Sequence, residues 1–127
     1  MKFIFSTTLA AFLFLASAMT TAAGDKFLSV IDDLPLMAEL DEIKGSAMTF
    51  DSPQGRVVEA MAMGNVEKDK VFRFYSATLP QLGWTESRTG QFSREGEILK
   101  IEFLKIENGS GESGAMRTIQ FMLSPAQ

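Results

Sequence analysis

The chain has 127 residues, 46% of them hydrophobic and 22% charged, a formal net charge of −4, and neither cysteine nor histidine. Those two absences exclude disulfides, thiolate nucleophiles, Cys-ligated zinc, iron–sulfur sites, the Ser-His-Asp triad and imidazole-ligated metals. The length suits one domain, and the acidic balance lacks the basic face that nucleic-acid binders present.

Lys2 is the sole charge before Asp25, and between them runs FIFSTTLAAFLFLASAMTTAAG, most apolar from Leu9 to Leu15. A basic start, a short apolar centre and small residues afterwards predict a secretory signal over 1–23. Cleavage is expected after Ala23, at Thr21-Ala22-Ala23, with Ala16-Ser17-Ala18 as the second small-x-small site. An uncleaved anchor needs about 20 apolar residues, and six Ser and Thr dilute this stretch. The expected product is therefore periplasmic or secreted, without a stable membrane anchor. It has 104 of the 127 residues and, without Lys2, 11 basic against 16 acidic ones.

Residues 24–46 read as a segment leading into the fold. Phe27, Val30, Ile31 and Leu34 have helical spacing, which Pro35 ends. A loop then packs along the body. From residue 47 the apolar period becomes two. Strands over 47–51 and 56–63 flank Asp51-Ser52-Pro53-Gln54-Gly55, whose Asp, Pro and Gly stand in turn-forming order. Asn65 is the expected cap of a helix over 67–79, on which Val71, Phe74, Tyr75, Thr78 and Leu79 share a stripe. Pro80 and Gly83 end it. A meander follows, with strands over 84–88, 91–94 and 97–106. Residues 108–114, with three glycines, form a polar loop, and a last strand runs over 115–123. The order ββαββββ predicts an α+β domain over 47–127: a single antiparallel sheet with one main helix on one face.

FDSPQGR at 50–56 and FYSATLPQLGW at 74–84 carry a resemblance. The chain resembles a group of small exported bacterial proteins sharing an FDSPxGR turn and an FY-x3-LPxLGW helix end. The likeness covers residues 34 to 104. It implies an exported α+β domain and brings no catalytic residues.

Four residues are candidates for a site. Trp84, just past the helix end, can either stack a flat ligand or lock the helix onto the meander, and the second reading is preferred. Arg56 can clamp a carboxylate ligand or pair with Asp51 across the hairpin mouth, and the pair is preferred. Met61 and Met63 point to the same side of one strand, so their two thioethers can face a soft ion such as Cu(I). Core filling beneath the helix is the preferred reading of that pair. The carboxylate pairs Asp32-Asp33, Asp41-Glu42 and Glu95/Glu97 read as solvated surface. With no nucleophile–base pair and no cofactor motif, the expected function is non-enzymatic: binding to another cell-envelope protein. The alternative is a periplasmic small-ligand or Cu(I) binder.

Overall fold

The computed structural model describes residues 26–104 and 116–127. The expected signal, its cleavage sites and the glycine loop over 108–114 lie outside the described residues. The strands are β1 (Asp41–Glu42), β2 (Met48–Ser52), β3 (Gly55–Asn65), β4 (Thr85–Arg88), β5 (Gln91–Arg94), β6 (Glu97–Phe103) and β7 (Met116–Pro125). The helix α1 (Lys68–Thr78) stands between β3 and β4 and runs into a 3-10 turn over Leu79–Leu82. All seven strands form one antiparallel sheet in the order β1-β3-β7-β6-β5-β4, and β2 pairs with β3 beside β1. The fold is α+β, as the hairpin pattern predicts. The two-residue β1 is additional. Among the described residues no helix is long and apolar enough to cross a membrane.

One sheet face carries the core. Val58, Ala60 and Ala62 of β3, Ile119, Phe121 and Leu123 of β7, Leu99 and Ile101 of β6 and Phe92 of β5 are all buried. Helix α1 covers them with Val71 and Tyr75, and the Tyr75 ring meets Phe121 edge-on at 5.6 Å. The Tyr75 hydroxyl donates to the Pro35 carbonyl at 2.9 Å, which satisfies a phenol whose pKa burial pushes well above its ordinary value.

The rest of that cover comes from residues 26–40, where the expected helix is absent. Leu28 and Leu34 bond N–H to carbonyl at 3.0 Å, Leu36 N–H reaches Lys26 O at 2.8 Å, and Phe27 bridges Pro35. Ile31 and Leu34 each close a three-residue turn, onto Leu28 and Ile31 respectively. A period of three serves successive tight turns as well as a helix, and so short a segment nucleates a helix poorly. Leu28, Ile31, Leu34, Leu36, Met37 and Leu40 are buried, each contributing about 1.5–3 kcal/mol. Phe27, read as part of the apolar stripe, is instead 54% exposed.

The small side chains of Ala60, Ala62 and Gly64 let this segment lie close on β3. A Cβ at Gly64 would collide with the Glu39 carbonyl oxygen and press on Leu40. Strand β3 also runs two residues past its expected end, because Gly64 and Asn65 pair with Arg117 and Met116 of β7. Asn65 is therefore a strand residue, and Glu67 is the N-cap, without a side-chain capping bond.

Candidate functional site

The four candidate residues fall into two places. Trp84 follows Gly83, whose φ of 89° ends the 3-10 turn in the left-handed region that glycine tolerates. Its N–H bonds back to Leu79 O at 3.1 Å, fixing the chain reversal into β4. The indole is only 3% exposed, and the Arg94 guanidinium lies 4.3 Å from its ring centre. That guanidinium donates to Asp33 at 2.6 Å and to the Leu82 carbonyl at 3.0 Å. A ring so covered is a structural pin rather than a stacking platform. Its Nε1 is buried without a hydrogen-bond partner among the described residues.

Arg56 does not pair with Asp51, although the two are directly opposed in register. It forms a two-point contact with Glu97, Nε to Oε2 at 3.1 Å and Nη2 to Oε1 at 3.3 Å. Asp51 stands exposed on an edge strand, whereas the Glu97 side chain is 28% exposed and matches the guanidinium fork. Glu97 is in turn opposed to Arg94 across β5 and β6. The charges thus alternate Arg56, Glu97, Arg94, Asp33. Hydrogen bonding to Arg94 holds the Asp33 carboxyl below its ordinary pKa, and the same bond raises the arginine. Glu97 likewise raises Arg56.

An open cavity of about 460 Å³ lies beside this network, lined by Asp33, Leu82, Gly83, Arg94 and Glu95. Trp84 stands behind Arg94 and outside that lining. Both arginines are held by the protein's own carboxylates. The Asp41-Glu42 pair is also engaged: Asp41 with Lys26 at 3.0 Å, and Glu42 with the N–H and hydroxyl of Ser29 at 2.9 and 2.7 Å. Among the described residues no three His, Cys, Asp or Glu side chains gather as metal ligands.

Met61 and Met63 occupy the sheet face that α1 does not cover. The expectation of core filling beneath the helix is thereby overturned. Strand side chains alternate, and the covered positions of β3 belong to Val58, Ala60, Ala62 and Gly64. Met61 is half-buried and Met63 is 39% exposed. The sheet brings further methionines to them. Met48 of β2 and Met122 of β7 both oppose Glu59, which lies two residues before Met61 on β3. Met116 opposes Asn65 at the far end, and Phe50 opposes Val57. Five of the six methionines after residue 23 share this face, Met37 being the exception.

Sequence reasoning missed Met48, Glu59 and Met122. The turn alone contained the signal for the first: with Ser52 opposite Gly55, Met48 must fall opposite Glu59. Comparison with protein-family models, curated proteins and solved structures found no match.

Proposed function

We propose that the protein is an exported, non-enzymatic binding module that takes an extended segment of another cell-envelope protein along β2. The observation that carries this reading is the state of the sheet's two edges. β4 is four residues long, irregular between Glu86 and Arg88, and carries both of those charges, the usual ways of closing an edge. β2 has an unbroken register with β3, contains neither Lys nor Pro, and exposes Met48 and Phe50 at alternate positions. Such a strand is a template for strand addition, with backbone hydrogen bonds giving affinity and alternate side chains giving selectivity. Asp51 on the strand and Glu59 behind it favour a segment that is apolar at alternate positions and carries a basic residue. Export is supported by the composition of residues 1–23, and the non-enzymatic reading by the lack of His and Cys.

A photo-crosslinking amino acid at position 50, compared with one at position 87 on β4, tests the reading in intact cells. One discrete adduct from position 50, absent from position 87 and lost in an Asp51→Lys background, is expected. Equal adducts from both positions, or none from position 50, would refute it.

A further inference from the structure

We propose that Met48, Met61 and Met122, with the Glu59 carboxylate between them, form a binding site for Cu(I). The inference goes beyond the docking role, with which it shares Met48 and Glu59. Its first support is placement. Met48 and Met122 flank Glu59 from the neighbouring strands on either side, and Met61 stands two residues along β3 on the same face. Adjacent strands lie about 4.8 Å apart and each residue rises about 3.3 Å, so the three Cα atoms form a triangle with sides of roughly 8–10 Å. Three unbranched, flexible side chains leaning inward close that span onto one ion.

The second support is the chemistry of the donors. Thioethers select soft ions, and Cu(I) is the soft ion of the first-row metals. Among the described residues the Glu59 carboxylate makes no side-chain hydrogen bond and no ion pair, although the residue is half-buried. A single carboxylate neutralises a monovalent ion and leaves a divalent one half compensated. Lys100, opposite Met122 on β6, adds positive charge nearby and penalises a divalent ion further. No carboxylate cluster suited to Ca²⁺ or Mg²⁺ is present among the described residues.

The third support is exposure without a packing reason. Met48 is 52% exposed, and Met61 and Met122 are half-buried on a face with no second layer among the described residues. Their thioethers therefore remain accessible to an ion arriving from solvent. Met63, opposite Thr118, and Met116, opposite Asn65, lie outside the triangle and serve as internal controls.

The test is an anaerobic Cu(I) titration of the purified protein against a chromophoric Cu(I) chelator, alongside spectra of the protein labelled at methionine methyl carbons. One equivalent of Cu(I) should bind with a submicromolar Kd, shifting the methyl signals of Met48, Met61 and Met122 and leaving that of Met37 in place. Met→Leu at 48, 61 or 122 conserves volume and should weaken binding at least tenfold. The same change at 63 or 116 should alter it less than threefold, and Zn²⁺ should shift nothing. Binding no tighter than that of free methionine overturns the proposal, as does equal weakening by Met63→Leu. Should a Leu variant misfold, the methyl shifts of the parent protein still decide the question.

Discussion

Truncation of Trp84 measures how much of the fold hangs on one side chain. The indole is 3% exposed, pinned between the helix end and Arg94, so Trp84→Ala removes a full aromatic ring from the core. Such truncations usually cost about 3–5 kcal/mol. Here the ring also takes away a buried Nε1 that has no partner among the described residues, a group whose desolvation costs about 1–3 kcal/mol. The net loss should therefore be about 2 kcal/mol, which lowers Tm by about 8–16 °C in a domain of this size. Trp84→Phe separates the two effects. It gives up part of the packing, at a cost of about 1–1.5 kcal/mol, but also removes the unpaired donor. Its Tm should stay within about 5 °C of the parent. Calorimetry of both variants checks the pair of values. Emission from this sole tryptophan should be blue-shifted and resistant to quenching. An emission maximum like that of free tryptophan, or an Ala variant melting within a few degrees of the parent, would refute the structural role. A Phe variant as unstable as the Ala variant would instead show that Nε1 has a partner.

Gly64→Ala should cost about 3 kcal/mol by denaturant unfolding, the upper end for overpacking, because the new methyl meets backbone at Glu39 rather than a yielding side chain. Acid should weaken the fold through Asp33 and Glu39, whose carboxyls Arg94 and Lys70 hold below their ordinary values of 3.8 and 4.5. The lowered folded-state pKa means that this stability is complete above those ordinary values and is lost as pH falls through the folded ones. Both pairs are solvated, so each is worth only about 0.2–1 kcal/mol, and Arg94→Met should remove the Asp33 share from a pH series of melts. N-terminal sequencing of the exported protein should begin at Gly24, whereas an intact Met1 in the membrane fraction would contradict export with cleavage.

The elements that were legible in the sequence are those fixed by neighbours along the chain. The hairpin around Ser52 and Gly55 follows from its turn residues, and α1 follows from its stripe and from the Pro80 and Gly83 stop. Trp84 was legible for the same reason, since its burial depends on a local chain reversal. What failed depended on distant partners. Asn65 looks like a cap until β7 extends β3 through it. Arg56 looks committed to Asp51 until Glu97, 41 residues away, offers two oxygens in a less exposed setting. The turns over residues 26–36 are held by bonds within the segment, but their period of three does not distinguish them from a helix.

The face of Met61 and Met63 is the most instructive failure, because half of it was right. Alternation on a strand puts both side chains on one side, and they are on one side. Which side that is depends on what comes to lie against the sheet. A covering layer made of an 11-residue helix and a turn-rich segment can bury the core only by approaching closely. Close approach needs small residues beneath it, and β3 provides them at Ala60, Ala62 and Gly64. The large members of the alternating series, Glu59, Met61 and Met63, must then point the other way. The pattern reads as a hydrophobic strand whose bulkiest apolar side chains face outward. Filling the core is therefore no explanation of Met61 and Met63, nor of Met48 and Met122 beside Glu59. Leu at these positions would supply the same apolar bulk without the sulfur that a soft ion needs, and that difference is what the Met→Leu comparison reads.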